Sequence, residues 1–257
     1  MNPFAYDFGY GWQWNYGHVV PLVLFGALAA IGARLRWSRW IVGVAAFIAA
    51  WAAVGLFITQ FVVRMNLPLE LPTERFLASD SGTVLDAGAG SGRSSLMVLL
   101  ERPASRVLAL DVYAGYFGID DNTPNRLLAN AAKAGVEDRI EVKVGDVREM
   151  PLDDDSLDAA VSAYVIDHLN EEGVERSLSE IRRVLRPDGE FLLMVIRPDL
   201  WIRVAYPMFA EHGYFGSDHS ARWRGHLEDA GFAIVEEGTL PGTLYLVARK
   251  PGGTGAS

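Results

Sequence analysis

Cysteine is absent from the chain, which excludes disulfides, thiolate metal sites and a cysteine nucleophile, and permits a reducing compartment without requiring one. Positive charge is scarce over most of the length. From Ser79 onward 18 basic residues stand against 29 acidic ones, a net of -11, so a nucleic-acid backbone finds no electrostatic footprint and is not an expected partner. Up to Ala78 the balance is reversed, with five basic residues against three acidic ones, a net of +2. No Lys or Arg precedes the first apolar run and a second run follows it, which does not suit a cleavable signal peptide. Internal repeats are missing too. What is present, 257 residues of which half are hydrophobic, suffices for one α/β domain and a modest additional module.

The additional module occupies residues 1–66. From Ile41 to Val63 run 23 uncharged residues with only Thr59 and Gln60 clearly polar, enough to cross a hydrocarbon core with some tilt. An earlier run, Val19 to Ala33, has 15 residues and approaches crossing length only with Tyr16, His18 and Leu35 included; it spans the bilayer or dips into it. The expectation is therefore two apolar membrane helices, about 17–35 and 41–63. Ahead of them aromatic residues take every second position, Phe4, Tyr6, Phe8, Tyr10, Trp12, Trp14 and Tyr16. That alternation suits an extended segment whose aromatic face forms a collar at the headgroup layer. The competing reading is a buried strand followed by two core helices, against which the long run is hydrophobic all round.

Residues 67–78, with Pro68 and Pro72, read as a linker ending in a short helix around Thr73 to Ala78. A domain separable at Leu67 then runs over 79–250, before a disordered tail at 251–257. Strands at Thr83 to Asp86, Val107 to Asp111, Ile140 to Val144, Leu157 to Ser162 and Phe191 to Ile196 alternate with helical stretches, which implies a parallel sheet with crossover helices. Thr123 and Pro124 open one helix and Gly135 closes it. Glu171 to Leu185 follows a helical period up to the turn Arg186, Pro187, Asp188, Gly189, and Ser220 to Ala230 ends at Gly231. Phe232 to Glu237 and Thr243 to Arg249 flank a Pro241, Gly242 turn. The predicted fold is a mostly parallel, seven-stranded α/β sheet that ends in an antiparallel hairpin.

Between the first strand and its helix lie Asp86, Ala87, Gly88, Ala89, Gly90, Ser91, Gly92 and Arg93. Such glycines let the backbone approach a ligand at the carboxyl edge of the sheet. A dinucleotide fingerprint wants glycine or alanine where Arg93 stands, and a Walker loop wants Lys followed by Ser or Thr, which is missing. Asp86 would repel a pyrophosphate and suits a cationic ligand, and S-adenosylmethionine carries an ammonium and a sulfonium. Asp111, ending the second strand, is placed to accept both ribose hydroxyls. Gly145 and Asp146 follow the third strand and place a carboxylate for the adenine amino group. The competing readings are an ordinary tight turn for the glycines and a loop residue for Asp146.

Together the glycine loop, Asp111, the stretch Gly145 to Pro151 and the turn Arg183 to Gly189 resemble the class I S-adenosylmethionine-dependent methyltransferases over about Ser79 to Lys250. The resemblance implies a Rossmann-like sheet and S-adenosylmethionine as cofactor. It implies that Asp86, Gly88, Ala89, Gly90 and Gly92 hold the methionine part, Asp111 with Val112 the ribose, and Asp146 with Val147 the adenine. Asp188 departs from the family pattern, in which glycine is more usual, at a point away from the cofactor.

Methyl transfer from a sulfonium needs in-line alignment more than covalent help, so a general base is optional. Candidates are Tyr164, Asp167 and His168 after the fourth strand, with Asp167 and His168 as the preferred pair, and Tyr116, Asp120 and Asp121 in an insertion over 113–122. Helix capping or a solvated loop explains the pair equally well. A second insertion, 199–214, carries Trp201, Ile202, Val204, Tyr206, Met208 and Phe209, which wall a substrate pocket, face lipid or pack a core. His212, Asp218 and His219 are too irregularly spaced for a metal site, and none is expected.

These features point to a small lipophilic or membrane-associated acceptor, as in quinone or lipid methyltransferases. A small thiol or other toxic or volatile molecule, a membrane protein as acceptor, and a non-catalytic cofactor-binding scaffold or sensor stand as alternatives. The expected location is the inner or plasma membrane, in contact with its lipids, with the catalytic domain on the cytoplasmic face where the cofactor is made. Arg34, Arg36 and Arg39 between the apolar runs oppose that orientation by the positive-inside tendency.

Overall fold

The computed structural model describes residues 6–114, 119–207 and 219–252. A stretch without helix through Tyr10 leads into a short helix α1 (Trp12–Tyr16), then α2 (Val19–Arg34) and α3 (Arg39–Phe57), which continues through one π-helical turn, Ile58–Val62. The helices α2 and α3 form an antiparallel pair, and α3 turns a stripe of small residues, Ala45, Ala49, Ala52 and Gly55, to the inside. Their outer faces carry exposed Val20, Val23, Leu24, Ile41, Val44, Phe47 and Phe57.

Among the described residues one helix, Arg39–Val62, is long and apolar enough to cross a membrane; α2 falls short at 16 residues. The core helix of a water-soluble protein passes the same test of length, yet only 28% of this helix's most apolar window is buried. Two spanning helices are thus not what the structure contains; it contains one of crossing length and one shorter apolar partner.

The larger domain is a seven-stranded sheet of β1 (Ser81–Ala87), β2 (Ala104–Asp111), β3 (Ile140–Val144), β4 (Leu157–Ala163), β5 (Leu185–Ile196), β6 (Ala233–Leu240) and β7 (Thr243–Arg249), in the order β3-β2-β1-β4-β5-β7-β6. The first five strands are parallel and β7 runs antiparallel between β5 and β6. Period-two alternation builds both faces. Val84 packs toward α4 (Arg93–Glu101) and α5 (Pro124–Ala134), while Leu85 packs toward α6 (Glu171–Val184) and α8 (His219–Asp229). Strand order reverses between β1 and β4, which opens a crevice at their carboxyl ends.

Local chemistry sets the helix ends. The Thr123 side chain accepts from Arg126 N ahead of Pro124, Gly135 closes α5 at φ 69°, and the Asn170 side chain caps α6 through Gly173 N. The expected helix at Thr73 to Ala78 does not form: the segment is a run of turns in which Leu77 takes φ 49°, and its amide donates to Glu190 instead of to a preceding carbonyl. Asp188 takes φ 64°, the conformation for which glycine is usual, and its carboxylate accepts from Gly252 N.

The aromatic segment is not a collar. Phe8 is buried in the core beside Leu96 and Leu127, Tyr6 and Tyr10 pack against the same cluster, and the alternation ends where α1 begins. This strap is fixed by polar bonds: Asp7 N donates to Asn130 Oδ1, Asn130 Nδ2 donates to Asp7 O, and Ser91 Oγ donates to Phe8 O. Phe4 lies outside the described residues.

Contacts tie the domain to the chain on the other side of Leu67. Buried Arg93 donates from Nε to Leu67 O and from Nη2 to Val63 O and Arg64 O, so a cut there removes two of its three acceptors along with Phe8. Truncation before Leu67 is expected to destabilise the domain by more than 3 kcal/mol, on the order of one buried aromatic plus one charged hydrogen bond. The two feet of the helical pair lie together, an added Cβ at Gly55 falling 2.3 Å from the His18 ring. Replacing residues 20–54 by a short Gly-Ser linker should instead keep a cooperative urea transition, and comparison of the two melts checks both statements.

Candidate active site

The glycine loop leaves β1 at the crevice. Gly88 takes φ 85°, and a Cβ there would lie 2.5 Å from the Val165 methyls, so neither the turn nor the contact with the β4 loop admits a side chain. The amides of Gly88 and Ala89 donate to Leu110 O on the neighbouring strand, which holds the loop open toward Asp111. Asp111 is placed by three donors: Gly90 N on Oδ2 at 2.9 Å, and Tyr113 N and Asn122 Nδ2 on Oδ1 at 2.7 and 3.1 Å. Asn122 Oδ1 is buried with no hydrogen-bond partner among the described residues, an acceptor beside that carboxylate open to a donor.

A cavity of about 850 Å³ runs from this loop across the ends of β1, β4 and β5. Of the residues expected to bind cofactor, Gly88, Ala89, Gly90, Asp111, Val112, Asp146 and Val147 line it. Asp86 and Gly92 do not. Asp86 lies fully buried beneath the loop, where Ser94 and Ser95 hydroxyls donate to it at 2.6 to 2.9 Å. Burial outweighs those hydroxyls and, with Asp111 nearby, pushes the Asp86 carboxyl up to about 6. It acts on the cavity through its field, not by contact as the sequence reading has it. Gly92 at φ 91° sets the start of α4.

Asp146 is held by Arg148, whose guanidinium donates to both carboxylate oxygens at 2.6 to 3.1 Å and keeps the carboxyl below its ordinary range. Arg148 itself lines the cavity.

The expected base candidates divide. Tyr164 and His168 reach the cavity and Asp167 does not: its Oδ2 accepts from Ile196 N at 2.9 Å, which ties the loop after β4 to the end of β5. Tyr164 is half-buried in a left-handed conformation, φ 57°, with its hydroxyl 2.5 Å from Thr243 Oγ1, and desolvation raises its pKa. It is a neutral hydroxyl at physiological pH. Asp121 pairs with Arg126, and Asp120 N donates to Gly9 O under the strap. Tyr116, Met208, Phe209, His212 and Asp218 lie outside the described residues. His219 Nε2 sits 2.9 Å from Ile196 O, and no group of side chains able to hold a metal occurs among the described residues.

The far end of the cavity carries residues for which no motif exists. Val62 and Val63 come from the foot of α3, Tyr10 and Trp14 from the strap and α1, Ile202 and Tyr206 from α7 (Leu200–Ala205) and its end, and Met194, Ile196 and Thr243 from β5 and β7. Tyr206 donates to Trp14 O and to Thr59 Oγ1, which joins three of these elements. The only prior signal was the apolar composition of 199–214.

The donor set fits S-adenosylmethionine: paired acceptors at Asp111 and Asn122 for a ribose, bare main chain at Gly88 to Gly90, and a buried acid for a cation. Comparison with known proteins agrees. A family model described as a methyltransferase domain matches residues 84–189. A protein of Encephalitozoon cuniculi named as a methyltransferase is 30% identical over 200 residues, 69% of this chain and 84% of the relative. A demethylmenaquinone methyltransferase of Clavibacter sepedonicus is 28% identical, over 72% of this chain and 80% of its own. The chain spans about half the length, or less, of other curated relatives it matches. In fold it is similar to a solved S-adenosylmethionine-dependent methyltransferase of Aquifex aeolicus, with TM-score 0.53 and 22% identity, over 66% of this chain and 82% of that one.

Two outcomes are expected in calorimetric titration with the cofactor. Asp111→Ala should weaken binding by about 1.5 to 3 kcal/mol, the cost of a charged hydrogen bond. In the unaltered protein, affinity should be flat above about pH 7. It should fall toward tenfold per unit below about 6, as the raised Asp86 carboxyl takes up a proton and the cation loses its counter-charge. An affinity that rises on acidification would contradict the assignment.

Proposed function

The chain belongs to the S-adenosylmethionine-dependent methyltransferases of class I, and from that premise we propose that it methylates a small lipophilic acceptor drawn from the membrane in which its helical pair is embedded. The observation that carries this reading is that the cofactor loop and the foot of α3 line one cavity. Its inner end is polar and acidic, and its outer end is walled by Val62, Val63, Ile202, Tyr206 and Trp14. A water-soluble acceptor has no use for that wall, whereas an apolar ring or chain gains from burial against it. The similarity to a demethylmenaquinone methyltransferase supports an acceptor of this kind. The proposed location is the inner or plasma membrane, with the domain on the cytoplasmic side that supplies the cofactor.

S-adenosylmethionine brings an electrophilic methyl group on a sulfonium. Gly88 to Gly90 would hold its methionine part, Asp111 and Asn122 the ribose, and Asp146 with Val147 the adenine. Asp86 would supply counter-charge from below. Tyr10 of the strap and Trp14 of α1 wall the cavity and would help align the acceptor, and alignment accounts for most of the rate gain in such a transfer. Tyr164, fixed by Thr243, offers a hydrogen-bond donor to orient the acceptor atom, and His168 takes the proton where the acceptor loses one.

Incubating membranes that contain the protein with methyl-labelled cofactor should place label in material extracted into chloroform. Label confined to the aqueous phase would favour a soluble small-molecule acceptor, and cofactor binding without any transfer would favour a sensor. His168→Ala should lower turnover by about 100-fold while leaving cofactor affinity within a factor of two. Asp167→Ala should act on melting temperature first, because it removes the acceptor of Ile196 N. Steady-state rates and melts on the two variants separate these effects.

A further inference from the structure

Among the described residues, helix α7 has a side that nothing packs against. Ile202 and Ala205 are buried, but Leu200 is 73% exposed and Trp201 40%. Its position is fixed against α3 by a hydrogen bond from Trp51 Nε1 to Val204 O at 3.0 Å. The level of that bond along α3 bears on where the domain sits, given the membrane reading of the helical pair, on which this inference rests.

The connection between α2 and α3 gathers Arg34, Arg36 and Arg39 with exposed Trp37 and Trp40, the composition of a headgroup layer. With that tip in one headgroup layer, a hydrocarbon core about 30 Å thick ends about 30 Å down α3, near Ile58. Trp51 lies only about 18 Å from Arg39 along the helix axis, and thus about 12 Å inside the nearer boundary. Whatever is bonded to Trp51 lies at that depth as well.

We propose that α7 is immersed in the acyl chains of the leaflet nearer the catalytic domain, so that the domain sits partly within the bilayer. The occupant of its exposed side is lipid hydrocarbon, which suits Leu200 and Trp201; exposed Arg203, whose Nε donates to Pro198 O, is long enough to carry its charge toward the headgroups. The apolar end of the cavity, at Ile202, Tyr206 and Val62, then opens where acyl chains meet headgroups. That is the level at which an amphiphile carries its reactive head, so the acceptor reaches the cofactor sideways from the leaflet without crossing water.

The absence of cysteine makes the test direct. Three single-cysteine variants, Leu200→Cys, Val44→Cys on the exposed side of α3, and Glu141→Cys on exposed β3, carry a fluorophore. Each is reconstituted as the full chain in phosphatidylcholine and phosphatidylglycerol vesicles with a nitroxide at mid-acyl or headgroup positions. Retained S-adenosylmethionine binding certifies folding, and Trp201→Cys replaces Leu200→Cys if that variant fails. Acyl nitroxide is expected to quench positions 200 and 44 several-fold more than position 141. Quenching at 44 with position 200 matching 141 overturns the immersion of α7 and leaves the membrane helix standing. No acyl quenching at either position overturns the membrane reading and this inference with it.

Discussion

Arg93 holds the two halves of the molecule in one frame. Its guanidinium is buried, and it donates to three carbonyls just past the membrane-length helix. A charge out of water persists only when hydrogen bonds replace its hydration, and those three carbonyls supply them. Because Arg93 directly follows Gly92, the same residue that begins the cofactor-loop helix also fixes the foot of α3. The loop and the foot cannot shift independently. A single cavity with an acidic end and an apolar end is the geometric consequence.

Electrostatics at the acidic end follow from where the acids are, more than from their number. Asp86 has no solvent, the Ser94 and Ser95 hydroxyls and the Ser95 amide stabilise its charge by less than burial penalises it, and Asp111 stands close enough to raise its pKa further. Tyr113, in the field of both, is pushed up well beyond the ordinary phenol range by burial and then by those two carboxylates. An anionic pyrophosphate would add to this unfavourable field, and a cation relieves it. Selection between nucleotide and sulfonium ligands is thus built beneath the loop, out of contact with either. The arrangement costs stability in the ligand-free protein, as functional sites commonly do.

How much of this was legible in the sequence depends on whether the signal was local. The strands and the α5 and α6 caps could be read because β alternation, Thr123 before Pro124 and Gly135 act within a few residues. The glycine loop, Asp111 and Asp146 could be read because their spacing is set by one strand-to-helix turn. Asp167 could not be told from His168, since one residue of a 3₁₀ turn decides which side chain faces the cavity. The helix expected at Thr73 to Ala78 failed because Glu190, far along the chain, captured the Leu77 amide. Phe8 carried an aromatic rhythm that fits headgroups and a domain core equally well, and only the tertiary partners Asn130 and Ser91 decide between them. The apolar end of the cavity had no motif because it is assembled from six segments that meet only in three dimensions.

The order of the segments also bears on orientation. The strap is bound to the catalytic domain before the chain leaves for α2, and Arg93 binds the chain as soon as α3 ends, so both feet of the pair are held at the cavity. Under the proposed membrane reading neither helix can therefore choose its side of a membrane alone, and the pair would insert as a loop whose tip carries Arg34, Arg36 and Arg39. The positive-inside tendency acts on free connections of this length and would keep that tip in the cytoplasm. Here it competes with the need of a folded domain for a cofactor made there. A tip of three arginines and two tryptophans at the far headgroup layer can be tolerated, because long arginine side chains reach lipid phosphates while the indoles occupy the interface. Translocating a folded, strongly acidic domain of more than 170 residues has no comparable accommodation. On the proposed membrane reading the conflict in the charge pattern is decided in favour of the domain, and the unusual tip is what that reading requires.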